Sequence, residues 1–175
     1  MKSYIVLLLS LFLFSCNNEP SLQKYFVENS ESSDFIAVDL GSSVINTEKM
    51  TLSQEDKDAL QSFEKMNIIA FKKDSLNDAK YETESQKVKS LLKDEKYQEL
   101  MRMGSGSNGG AIYFVGEEEH IDEFVLFATG KETGFAVVRI LGNDMNPSYI
   151  MNLMGLLQKA EVDLDQLKPL QGFMK

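Results

Sequence analysis

Residues 111–141, AIYFV-GEEEH-IDEFVLFA-TGKET-GFAVVRIL, decide the fold of this chain. Three runs in this stretch are rich in branched and aromatic side chains, as strands are: residues 111–115, 121–128 and 134–141. The connections between the runs are five residues each, short enough for hairpins. In the middle run apolar side chains occupy both alternating sets of positions, which predicts a central strand buried on both faces.

Two more strands are predicted upstream of this meander. Residues 34–40 (DFIAVDL) have the branched and aromatic content of a strand and are followed by Gly41, and residues 67–71 (NIIAF) form a short buried run. Between the meander and these strands lies the glycine-rich stretch 104–110 (GSGSNGG), which we expect to be a flexible connection.

Helices are predicted between and after the strands. Ser53 with Asp56 has the pattern of a capping box, and apolar residues recur every three positions to Met66. Residues 77–103 predict a long helical stretch with a break after Asp94, where the apolar face changes. The remaining predicted helices are a short one containing Leu22, Tyr25 and Phe26, a long one opened by Asn146 and Pro147, and a terminal turn over residues 163–167.

The order of these elements predicts an α+β domain of two layers. Its sheet is expected to be mixed, with about five strands, formed by two helical crossovers and then an antiparallel meander. Helices are expected to pack on this sheet. After a signal peptide over residues 1–15 and a tether with a short helix over residues 16–33, residues 34–175 are predicted to form this single domain.

Cys16, the only cysteine of the chain, directly follows an apolar run that begins after the basic residue Lys2. The run over residues 4–14 is shorter than the roughly 20 apolar residues of a permanent membrane-spanning helix. The small residue Ser15 before Cys16 fits a lipoprotein signal, which predicts cleavage between Ser15 and Cys16 and modification of Cys16 by a diacylglyceryl group and a fatty acyl group such as palmitate. The alternatives are a plain secretory signal that is cleaved near a fortuitous cysteine, and an anchor that is not cleaved.

These features predict a cell-envelope lipoprotein held at the membrane by two or three acyl chains. An aspartate directly after the cysteine would indicate retention in the inner membrane, but that position holds Asn17. We therefore expect the protein in the periplasmic leaflet of the outer membrane. Without Lys2 the mature chain has 17 basic and 27 acidic residues, a net charge of −10. Such an acidic surface argues against nucleic acid as a partner.

Residues typical of catalytic and metal sites are scarce. His120 is the only histidine, and it follows three consecutive glutamates in a predicted turn, where alternate side chains point to opposite faces. The glycines at 104–110 precede a strand rather than a helix, unlike those of phosphate-binding loops. We therefore expect no cofactor, no metal and no catalytic constellation, and thus no enzyme activity.

Arg139 is the one candidate ligand-binding residue, because it lies in the apolar run VVRIL of a predicted strand. Its guanidinium either pairs with a carboxylate or faces a ligand. The expected function is a non-catalytic binding module for an envelope protein or a small apolar ligand. The alternative is a hydrolase or another enzyme with an acid-only site, which would need carboxylates from separate segments to meet in a pocket. A convergent pair that includes Asp39 or Glu123 would favour this alternative.

The chain resembles a family of exported lipoproteins found mainly in Bacteroidetes, the domain of unknown function 4252. The residues that carry the resemblance are LFSC (13–16), DFIAVDL (34–40), NIIAF (67–71), YQELM (97–101) and FAVVRILG (135–142). The resemblance implies an envelope location and one domain over most of the mature chain. It implies no activity, cofactor or catalytic residue.

Overall fold

Residues 19–48, 50–105 and 108–159 are described by the structure, a computed structural model, and they form four helices and six strands with one short 3-10 helix at residues Ser42–Val44. The helices are α1 (Leu22–Asn29), α2 (Gln54–Ser62), α3 (Asp78–Leu91) and α4 (Pro147–Lys159). The strands are β1 (Phe35–Gly41), β2 (Phe63–Lys72), β3 (Gln98–Ser105), β4 (Asn108–Glu117), β5 (His120–Gly130) and β6 (Gly134–Met145).

The six strands form one sheet in the order β1-β2-β6-β5-β4-β3, and every neighbouring pair is antiparallel. This confirms the α+β class and the hairpins that join β4 to β5 and β5 to β6. The expectation of a mixed sheet of about five strands is wrong. The helix-containing connection from β1 to β2 reverses the chain rather than crossing over, so β2 pairs antiparallel with β1, while β3 adds a sixth strand at the far edge.

Helices cover both faces of the sheet, so the molecule has three layers instead of the two expected. On one face, α1 and α3 bury an aromatic cluster that includes Phe71, Phe127 and Phe135. On the other face, α2 and α4 pack over a cluster that includes Phe124 and Ile140. Phe124 and its neighbour Val125 are both fully buried, one in each cluster, which confirms that β5 is buried on its two sides.

Two predicted helices end earlier than their apolar patterns indicated. The capping box of Ser53 and Asp56 is present, but α2 ends at Ser62, and Phe63 already pairs with Gly142 of β6. Similarly, α3 ends at Leu91, and residues 98–103, which the apolar pattern predicts to be helical, form most of β3 instead. These β3 residues are good helix formers, so pairing with β4 outweighs their intrinsic preference.

The described residues of the glycine-rich stretch, which was expected to be a flexible connection, are paired strand residues at the ends of β3 and β4. Gly104 lies opposite Gly109 and Ser105 opposite Asn108 in the ladder. Gly104 has a φ of 69°, a conformation that glycine adopts without strain.

Asn146 caps α4 by accepting from the backbone amides of Ser148 and Tyr149, as predicted. The predicted signal, Cys16 and the terminal turn over residues 163–167 lie outside the described residues.

Candidate functional site

A groove lies between the C-terminal end of α3 and strands β3 to β5. Two adjoining cavities of about 440 Å³ and about 310 Å³ share Lys89, Arg102 and Phe127 as lining residues. Together they are within the range of small-molecule sites. We call this surface the basic groove and define it by three cations and three aromatic residues: Lys89, Lys93, Arg102, Tyr97, Tyr113 and Phe127.

Strand register positions the floor of the basic groove. Arg102 of β3 lies opposite Ala111 of β4, and Ala111 lies opposite Phe127 of β5, so these side chains form one row on the same face. In the next row along this face, Gly104 and Gly109 are opposite each other, beside Thr129. Both glycines line the smaller cavity, together with Thr129.

The rim of the basic groove has an excess of positive charge, with three cations and only the carboxylate of Glu99 among its lining residues. Arg102 donates from Nε to Glu99 Oε1 at 3.0 Å and from Nη2 to the hydroxyl of Tyr113 at 3.3 Å. The hydrogen bond to Glu99 raises the pKa of Arg102. Lys89 and Lys93 make no ion pair with any described residue.

Aromatic side chains form the buried part of the groove. Tyr97, Tyr113 and Phe127 all belong to the core cluster beneath α1 and α3. Burial, together with the negative charge of Glu123, raises the pKa of Tyr97 to about 12, so this residue presents a neutral ring at physiological pH. The ammonium of Lys96 lies 5.0 Å from the centre of the Tyr97 ring and adds a further cation nearby.

Arg139 lies under α1, on the same face of the sheet as the basic groove. Its Nε donates to Glu123 Oε1 at 2.5 Å, its Nη1 donates to the side chain of Gln23, and its guanidinium is 5.5 Å from the Phe26 ring centre. Only 5% of the residue is exposed. Arg139 thus makes the carboxylate pair that one of the two alternatives predicted, and it also lines a cavity of about 220 Å³.

That smaller cavity contains Asp39, which the acid-only enzyme hypothesis singled out with Glu123. Asp39 accepts a hydrogen bond from the amide of Asn67, and Glu123 accepts from Arg139. Their strands, β1 and β5, are separated by β2 and β6, so the two carboxylates are roughly 14 Å apart at three strand spacings. The structure does not bring these two carboxylates together.

His120 pairs with Asp144 at 2.9 Å between Nδ1 and Oδ1, and both side chains are exposed. This hydrogen bond is the main cause of a raised His120 pKa.

Among residues 19–48, 50–105 and 108–159, no group of three or more histidine, cysteine, aspartate or glutamate side chains is placed to hold a metal ion. The same residues include no helix long and apolar enough to cross a membrane.

Sequence patterns did not point to the basic groove. The available signal was the spacing of Lys89 and Lys93, which are four positions apart in the predicted helical stretch and would share one side of it. In the structure Lys93 lies in the turn after α3, and both lysines line the same cavity. The third cation, Arg102, was assigned to a helix, so its position opposite Ala111 on a strand could not be anticipated.

A family model described as "Domain of unknown function (DUF4252)" matches residues 25–153, which include every residue of the basic groove as well as Arg139 and Glu123. No curated protein and no solved structure matches the chain.

Proposed function

This chain belongs to the DUF4252 family, and from that premise we propose that it is a lipid-anchored cell-envelope protein that binds a partner or small ligand without catalysing a reaction. The observation that carries the binding role is the basic groove. A concave surface with an aromatic floor and a few charged groups at its rim is the usual composition of a ligand site.

Anchoring is proposed from the sequence around Cys16. Lipidation at this cysteine would leave six residues before Leu22, which is fully buried at the start of α1. A chain of that length reaches at most about 20 Å. The anchor would therefore hold the α1 side of the molecule close to a membrane surface, which we propose to be the periplasmic leaflet of the outer membrane.

A binding role agrees better with the described side chains than the acid-only enzyme does. Asp39 has an amide as its partner and Glu123 has a guanidinium, and the two carboxylates do not share a cavity. The residues of the basic groove are instead suited to holding a negatively charged group against an apolar surface.

The anchor is tested by growing cells with an alkyne-labelled palmitate and measuring both the label and the intact mass of the protein. We expect wild type and Ser15→Ala to be labelled, since alanine keeps a small residue before the cysteine, and Cys16→Ala to lose the label. Unlabelled wild type, or a labelled Cys16→Ala protein, would contradict the proposed lipidation.

The binding role is tested by affinity purification from detergent-solubilised native membranes, followed by native mass spectrometry. The groove variant is Lys89→Glu/Lys93→Glu, and its control is Lys57→Glu, an exposed lysine on α2 at the opposite face of the sheet. A protein or small molecule retained by wild type and the control but lost from the groove variant supports the proposal. Equal retention by all three, or no specific molecule in any, counts against it.

A further inference from the structure

We propose that the occupant of the basic groove is an amphiphile with an anionic head, a carboxylate or a phosphate, and an apolar body. This inference rests on the proposed binding function and deepens it by naming the class of ligand. It follows from three features of the groove: the charge at its rim, the shape of its floor and its position relative to the predicted anchor.

Charge selects the head group. The whole chain has a formal net charge of −9, yet three cations and one carboxylate line the groove. Glu99 already accepts from Arg102, whereas Lys89 and Lys93 have no described acidic partner. Two ammonium groups, one near the end of α3 and one in the turn that follows it, are therefore available beside the same cavity for an anion, and a charge-assisted hydrogen bond to each would be among the stronger contacts available to such a ligand.

The aromatic floor of the groove favours a ligand with an apolar body. Next to the cations lie the rings of Tyr97 and Phe127, and further along the same face Gly104 and Gly109 line the second cavity. An apolar chain laid along this path would cover aromatic carbon and pass close to the backbone of β3 and β4. Burial of such a chain stabilises the complex by roughly 0.8 kcal/mol per methylene at full burial.

Position also favours a ligand of membrane origin. Leu22 of α1 and Val88 of α3 pack in the same core cluster as Tyr97 and Phe127, so the groove is on the face that these two helices cover. The proposed tether enters α1 from Cys16. A protein held in this way meets amphiphiles at the membrane surface at high local concentration.

Photo-crosslinking of the full chain in native membranes tests this inference. Three probes carry a diazirine in the same alkyl chain and differ only in the head: a carboxylate, a phosphate and an uncharged methyl ester. Labelled peptides are identified by mass spectrometry in wild type, Lys89→Glu/Lys93→Glu and the control Lys57→Glu.

We expect one or both anionic probes to label residues that line the groove, and the labelling to fall about tenfold or more in the double variant while Lys57→Glu stays at the wild-type level. Labelling should also weaken as salt is raised, because the lysines are on the rim. Which anionic probe labels more strongly identifies the head group.

Equal labelling by the methyl ester, labelling outside the groove, or no loss in the double variant would overturn the inference. These failures are separable from failure of the proposed function. If the probes fail but a protein co-purifies through Lys89 and Lys93, the binding module stands and its ligand is not an amphiphile. If neither experiment gives a groove-dependent molecule, both proposals fall.

Discussion

Glu123 of β5 and Arg139 of β6 are joined by a hydrogen bond of 2.5 Å, on the sheet face covered by α1. Both side chains are largely removed from water, with exposed fractions of 13% and 6%. The guanidinium bonded in this way also donates to Gln23 and lies against Phe26, two residues of α1. A single charge pair thus connects two central strands to the helix that follows the predicted tether.

Replacing Arg139 by leucine should strongly destabilise the fold, because it leaves the carboxylate of Glu123 buried without its partner. The expected loss is about 3–5 kcal/mol in the free energy of unfolding, measured by urea denaturation. The double variant Arg139→Leu/Glu123→Leu removes both charges and should recover much of that loss. A double variant as unstable as the single one would show that the loss of stability does not come from the unpaired carboxylate of Glu123.

Tyr25→Phe should destabilise the packing of α1 on α3. The Tyr25 hydroxyl donates to Glu84 Oε2 at 3.1 Å, and Glu84 is 6% exposed, so the variant deprives a buried carboxylate of a donor. We expect a loss of about 1–3 kcal/mol. The matched control is Tyr149→Phe, whose hydroxyl has no described partner and whose removal should change stability by about 0.5 kcal/mol or less. Equal effects of the two variants would contradict the prediction.

Stability should decline at alkaline pH, partly through Tyr97. Burial raises the pKa of Tyr97 in the folded state to about 12 from its ordinary value of 10.0. The folded protein therefore keeps a proton that the unfolded chain releases, so the contribution of Tyr97 is complete below pH 10 and is lost as the pH rises toward 12. Urea midpoints measured across this interval should fall less steeply for Tyr97→Phe than for wild type.

Local patterns predicted the elements whose signals lie within a few residues of each other. The capping box at Ser53, the cap at Asn146 and the three strands of the meander are present where the sequence placed them. Each depends on contacts between near neighbours in the chain, or on alternation along one strand. Such information is fully contained in a short window.

The elements that were predicted incorrectly depend on distant partners. β3 consists of residues that favour a helix, and it is a strand because Gln98 to Ser105 pair with β4. The packing of helices on both faces of the sheet and the antiparallel pairing of β2 with β1 also depend on contacts between segments that are far apart in the sequence. The basic groove joins α3 to three strands, so it could not be recognised before the position of β3 was known.

His120 should titrate above its ordinary pKa of 6.5, mainly because it is hydrogen-bonded to Asp144. The variant Asp144→Asn should lower the His120 pKa. In an NMR pH titration, the midpoint of the change in the imidazole chemical shifts should then move to lower pH. Asparagine is the suitable replacement, since Asp144 has a φ of 54° and asparagine tolerates that conformation. Glu119→Gln, which removes a weaker influence, should lower it less. A larger effect of Glu119→Gln would contradict this order.

Gly134, at the start of β6, should not accept even a methyl group. Its φ is 115°, and an added Cβ would lie 1.9 Å from the carbonyl oxygen of Phe71 on β2, a backbone atom that cannot move without disturbing the ladder. Gly134→Ala should therefore lower the free energy of unfolding by about 3 kcal/mol or more. Gly155 in α4 is the matched control, since nothing lies within 4 Å of its added Cβ. Because alanine favours helix, Gly155→Ala should raise stability by about 0.5–1 kcal/mol. A Gly134→Ala midpoint that is unchanged or raised would show that strand pairing at Gly134 is looser than the ladder implies.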